Sequence, residues 1–297
     1  MNMHRRTRVA CAALALVALG ALFFAGGASA KLTGLFKQFE QCPFSNLEVK
    51  RCLISPTEGG EVILGSKKVP IVNTQILQAG VTKPVEGTGK LVAAKNGETL
   101  TKVSQPVPGG LAGFVNCKEI SNFLLRISCE GIFENGLTGV NSTLELARPA
   151  NEVLVNEAHI GEEEGVALRM PVKFHLENPL FGSNCYVGSS ASPVIWELTA
   201  GTTAPPLPNK PIKGFGGELE LFEEGSILQL RNAKLVDNAW SAPAASGCGG
   251  IFSFIIDPIV NASSGLPSAA GKNTAILQNT INVATAFAVR NNDAENP

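Results

Sequence analysis

The chain has 297 residues, with 24 Lys and Arg against 25 Asp and Glu, 44% hydrophobic residues and only 16% charged ones. So even a charge balance speaks against a protein that grips nucleic acid with a concentrated basic face. Asp237, Asp257 and Asp293 are the only aspartates, which speaks against the clustered aspartate loops that bind calcium.

The amino terminus reads as an export signal. Arg5, Arg6 and Arg8 precede an apolar run from Val9 to Phe24, and the small residues of AGGASA follow. That run is shorter than the ~20 residues that span a bilayer, so cleavage after Ala30 is expected rather than anchoring. Residues 1–30 are therefore read as a signal peptide. The product is expected outside the cell or on its surface, with no transmembrane segment left and a formal charge of −4 once the three signal arginines are gone.

Six cysteines remain: Cys42, Cys52, Cys117, Cys129, Cys185 and Cys248. An even count in an exported chain implies three disulfides, and fifteen connectivities are open. Proximity in sequence favours Cys42 with Cys52 and Cys117 with Cys129, which leaves Cys185 with Cys248. Zinc is disfavoured, because the chain has no CxxC pair and only His159 and His175 follow the signal.

Taken in chain order, the segments are strand-like. In KLVAAKNGETLTKV, Asn96-Gly97 predicts a two-residue hairpin turn, and Asn135-Gly136 repeats the signal. QPVPGGLAG reads as a surface loop. Pro149 to Asn151 offers a boundary between an amino-terminal β domain, 31–150, and a carboxyl-terminal one, 151–297. A strand around Val153 and Val155 leads through the glycine-bounded turn 161–165 into VALRMPVKFHLEN. There Val166, Leu168, Met170, Val172, Phe174 and Leu176 alternate with Arg169, Lys173, His175 and Glu177, the period of a strand with one polar side. Pro171 cannot donate to a ladder, which predicts an edge strand or a bulge, and Asn178-Pro179 ends the run.

Tyr186 follows as a cross-strand packing residue. TTAPPLPNKPIKG has polyproline character, and GGELELFEEGSILQLRNAKLV predicts a further hairpin. SGCGGIFSFIIDPIVNASSG fits a short apolar helix before Pro258 or a buried strand. The whole is all-β and mainly antiparallel, sandwich-like, in one large or two smaller domains with at most one or two short helices.

Chemistry is hard to find. His175 and Glu177 lie two apart on one strand face, but no GxSxG elbow supplies a nucleophile. His159 beside Glu157 and Glu162 to Glu164 reads as a solvated turn. The 22 glutamates offer pairs for glycoside hydrolysis, yet Trp196, Trp240 and Tyr186 are the only aromatics besides phenylalanine to stack on a sugar. GLPSAAGKN lacks P-loop spacing, and a nucleophilic Cys185 conflicts with an even cysteine count. No catalytic, cofactor-binding or metal-ligating residue is assigned, and no cofactor or nucleic-acid partner is expected.

NPLFGSNCYVGS, with GLPSAAGKNTA and CPFSN, resembles secreted proteins of unassigned function from high-GC Gram-positive bacteria, the actinobacteria. The resemblance implies an extracellular bacterial protein and no ligand. The reading that follows is a secreted or surface-associated, non-enzymatic β protein, a structural or binding module for a cell-envelope component or an apolar ligand. An envelope β-pore and an extracellular hydrolase with a glutamate-based site are the alternatives.

Overall fold

The computed structural model describes residues 31–110, 123, 126–127 and 139–295. The expected signal peptide 1–30, Cys117, Cys129 and the turn expected at Asn135-Gly136 lie outside them.

Among the described residues fourteen strands join in one sheet, and every strand pair is antiparallel. The fold is all-β, as the alternating sequence requires. Its spine is β1 (Val49–Leu64), which pairs along one edge with β14 (Thr274–Thr285). Along the other edge its first half pairs with β3 (Gln75–Thr82) and its second with β2 (Lys67–Pro70). The exchange of partners falls at a bulge beside Gly59 and Gly60. Gly60 has a φ of 110°, and a Cβ there would stand 2.0 Å from the carbonyl oxygen of Ile276, so only glycine lets the strand bend against β14.

From β3 the sheet continues through β4 (Gly89–Ala93), β7 (Leu154–Val155) and β8 (Leu168–Glu177) to β6 (Val140–Leu146) and β5 (Ser104–Val107). On the far side of β14 lie β12 (Ile227–Asp237) and β11 (Glu218–Phe222), the hairpin the sequence predicts. β10 (Val194–Leu198) and β9 (Tyr186–Val187) add to β8, and β13 (Ala245–Ser246) adds to β9.

The sheet curls so that its ends meet. The Gln105 side chain accepts from the Val72 and Asn73 amides and donates to the Asn73 carbonyl, which fastens β5 beside β2. At the other seam Thr199 and Val236 exchange both backbone hydrogen bonds. Strands from both sides of residue 150 face one core, in which Leu53, Val81 and Leu277 pack with Val172, Phe174 and Trp196. A smaller cluster sits beneath the 3-10 turn Gly34–Phe39. There Phe36, Phe39 and Phe44 meet Val49, Ile227 and Val289 of the terminal helix Ala286–Glu295, and the Cys42–Cys52 disulfide crosses it.

Three local expectations are corrected. β8 is an internal strand. Pro171 lies between the residues that pair with β7 (Leu168 and Arg169) and those that pair with β6 (Val172 to Glu177), a gap where no ladder amide is needed on that edge. Asn96-Gly97 does turn, with Gly97 at a φ of 78°, but it makes no hairpin. Residues 91–93 and Leu100 both pair with β3, so the turn is a wide excursion within one edge. The first half of QPVPGGLAG is β5, whose Pro106 is tolerated because β5 ends the sheet path.

Candidate functional site

The residues singled out around His175 come together on the outer face of the sheet. Strand register places Ser104, Thr143, His175 and Tyr186 in one transverse row across β5, β6, β8 and β9. Ser104 donates to Glu177 at 2.5 Å, and Thr143 donates to the same carboxylate at 2.9 Å. His175 Nδ1 lies 3.4 Å from Glu177 and 3.9 Å from Glu145, and Glu145 is held by Lys173 at 3.2 Å and Lys102 at 3.7 Å. The imidazole stacks on Tyr186 with centroids 4.5 Å apart, and Lys173 Nζ stands 4.0 Å from the same ring. Burial, reinforced by Glu145 and Glu177, pushes the Tyr186 phenol above its ordinary range.

The row resembles a triad only in composition. Ser104 is bonded directly to the Glu177 carboxylate rather than to the imidazole, so the Ser–His–acid order in which histidine takes the hydroxyl proton is not formed. Chemically it is a ladder of cross-strand pairs, in which aromatic, hydroxyl and charged neighbours stabilise the sheet. Cys185, next to Tyr186, is fully buried and bonded to Cys248. His159 lies elsewhere, inside the short helix Glu157–Gly161 that Asn156 caps, with Nδ1 2.9 Å from the Val166 carbonyl. Among the described residues no group of three or more His, Cys, Asp or Glu is disposed to hold a metal. The P-loop-like GLPSAAGKN is a turn fixed by Asn273, which is fully buried, donates to the Trp240 carbonyl and accepts from the Gly65 amide.

An open groove of about 560 Å³ runs between β10 and β12, lined by Ile195, Glu197, Thr199, Asp237 and Trp240. Asp237 is buried in its floor and accepts from the Glu197 amide at 2.7 Å and the Ala239 amide at 2.9 Å. Desolvation raises its pKa, Glu197 adds to the rise, and the two amides oppose it. With both oxygens spent on backbone donors, the carboxylate joins two strands and is not presented to a substrate.

Because its folded pKa is raised, the folded state holds the proton more tightly than the unfolded chain. The contribution of this group to stability is therefore greatest below its ordinary range and is lost as pH rises through the folded value. In Asp237→Asn that decline is expected to disappear from denaturant midpoints measured between pH 4 and 7. The variant is also expected to carry a pH-independent loss of about 1–3 kcal/mol, because an amide group meets one of the two donors with another donor. A midpoint profile parallel to the wild type would refute the assignment.

Inside the sheet lies a cavity of about 60 Å³ lined by Leu77, Met170, Phe174, Trp196 and Leu277, with Gln75, Gln105 and Asn279 at its polar side. Their amides are bonded within the protein. The volume is below the ~150 Å³ at which an engineered apolar cavity takes up benzene.

The surface that departs most from an ordinary exterior is carried by the helix Ser253–Ser264 and the 3-10 turn Gly250–Phe252 before it. Its polar residues point inward. Asp257 accepts from the Gly247 and Cys248 amides. Asn261, four residues on, accepts from the Ala245 amide and donates to the Ala245 carbonyl. Val260 and Ser264 are buried beside them. Outward stand Ile251 (84% exposed), Phe254 (73%), Phe252 (57%), Ile255 (48%) and Ile259 (41%), and Leu180 of a neighbouring loop is 43% exposed. The Gly249 amide bonds the Phe181 carbonyl, and the Cys185–Cys248 disulfide fixes the base of the turn.

Of the two expectations for this segment the helix holds and its end before Pro258 is corrected. It runs through Pro258, and its Phe254, Ile255 and Ile259 side chains face solvent. An apolar run normally signals burial, and here the signal that points the other way is the Asp257/Asn261 spacing, which puts both polar groups on the face opposite Ile255 and Ile259. The chain matches no protein-family model, no curated protein and no solved structure.

Proposed function

We propose that this is an exported, non-enzymatic β module that attaches to an apolar partner through the face of the helix Ser253–Ser264. The observation that carries the reading is the inversion of that helix: its polar side chains fasten it to the body, and five large apolar ones, three on the helix and two on the turn before it, are left in water. Contiguous exposed apolar surface on this scale marks interaction sites in soluble proteins. Export is supported by the signal-like leader and by two disulfides, Cys42–Cys52 and Cys185–Cys248, which persist in oxidising compartments. The actinobacterial origin suggested by the CPFSN and NPLFGSNCYVGS motifs belongs to the same reading. No helix among the described residues is long and apolar enough to cross a membrane. The pore alternative is disfavoured because β8 turns Met170, Val172, Phe174 and Leu176 inward and Arg169, Lys173 and Glu177 outward, the reverse of a lipid-facing barrel strand.

The test is fractionation of cells that export the protein. The double variant Ile251→Ser/Phe254→Ser is expected to shift at least tenfold from the envelope fraction to the medium, with its thermal midpoint unchanged, since neither side chain is packed. Equal partition of variant and wild type would refute the attachment face.

A further inference from the structure

Resting on that reading, we infer that the partner is the hydrocarbon edge of a lipid surface, entered by Ile251, Phe252, Phe254, Ile255 and Ile259. Three features favour lipid over a protein. The first is charge: from Gly247 to Gly265 the sole ionisable side chain is Asp257, and both its oxygens are occupied by backbone amides. Entry into hydrocarbon therefore strands no charge, and the face carries no charge pattern with which to select a folded partner.

The second is composition. The face is phenylalanine and isoleucine alone, without the Trp, Tyr or Arg that anchor protein interfaces. The third is shape. A protein partner needs a surface complementary to this face, whereas a bilayer buries side chains as exposed as Ile251 and Phe254 one by one and needs no matching shape. A helix lying in the interface plane with its apolar face ~5–10 Å deep fits this geometry. Its tether, the Cys185–Cys248 disulfide with the Asp257 and Asn261 hydrogen bonds, holds the helix before it meets lipid.

The absence of basic residues on the face gives the inference its signature: binding should respond to neither headgroup charge nor salt. The experiment uses the protein recovered after export, its amino terminus read by mass spectrometry, in co-sedimentation with phosphatidylcholine vesicles and with vesicles containing 30% phosphatidylglycerol. Partition is expected to be equal within about twofold for the two compositions and between 50 mM and 500 mM NaCl. Ile251→Ser/Phe254→Ser should lower it at least tenfold while retaining the wild-type disulfide content and thermal midpoint. In Phe254→Trp, lipids brominated near the headgroup should quench the added fluorescence, which the buried Trp196 and Trp240 do not share.

Binding to anionic vesicles alone, or loss of binding in high salt, overturns the inference. If the wild type ignores vesicles but self-associates or captures an envelope protein, and the double variant does neither, the lipid inference fails and the attachment module stands. If the double variant changes none of these measurements, both fail.

Discussion

Replacing Cys185 and Cys248 together by alanine is expected to lower stability by about 4 kcal/mol, read from denaturant midpoints at constant m. The bridge closes a sequence separation of 63 residues, and both cysteines are fully buried, so alanine leaves no unpaired polar atom behind. The same treatment of Cys42 and Cys52, separated by only 10 residues, is expected to cost about 3 kcal/mol, because a shorter loop restrains the unfolded chain less. The longer bridge has a second consequence that the shorter one lacks. Cys248 carries one of the two backbone amides that Asp257 holds, and although alanine keeps that amide, losing the bridge frees the segment that presents it and loosens the base of the inverted helix. Cleavage by chymotrypsin at Phe252 or Phe254 is therefore expected to accelerate in the Cys185/Cys248 variant and to stay at the wild-type rate in the Cys42/Cys52 variant. A cost below 1 kcal/mol, or equal cleavage in both, would show that the long bridge does not organise that corner.

The sheet was legible in the sequence because its signals are local. β8 and the β11–β12 hairpin follow from a period of two, the Cys42–Cys52 pair from an even count and proximity, and the Cys185–Cys248 pair from elimination. What escaped was set by distant partners. Pro171 suggested an edge because nothing in its neighbourhood reveals that β7 and β6 share one side of β8 and leave a gap at the proline. The Asn96-Gly97 turn carries the sequence of a hairpin, but β3 captures the chain on both sides of it.

The candidate site divides in the same way. Ser104, Thr143 and Glu145 join His175 only through register, which no spacing encodes. The exposed apolar face was hidden because hydrophobicity says that a side chain avoids water without saying where it finds shelter. Only the Asp257 and Asn261 hydrogen bonds show that the other side of the helix is the one turned to the body.

The core makes the last and steepest demand. Trp196 is fully buried at the meeting of β8 and β10, edge-on to Phe174 at 5.9 Å and to Trp240 at 6.0 Å, while Phe174 and Trp240 stack at 6.2 Å. Trp196→Ala is expected to cost about 3–5 kcal/mol, the range for emptying a large aromatic site. Trp196→Phe should cost less than about 1.5 kcal/mol, because it keeps most of the ring contact. It also removes an indole N–H that has no hydrogen-bond partner and whose burial already weighs against the native residue. Since Trp196 lines the existing 60 Å³ cavity, truncation joins the vacated space to it. The enlarged void is apolar on the side of Leu77, Met170 and Leu277, so indole or benzene should raise the thermal midpoint of Trp196→Ala and leave that of the wild type unmoved. If the alanine variant were as stable as the phenylalanine variant, the aromatic triangle would not be what joins β8, β10 and the segment after β12.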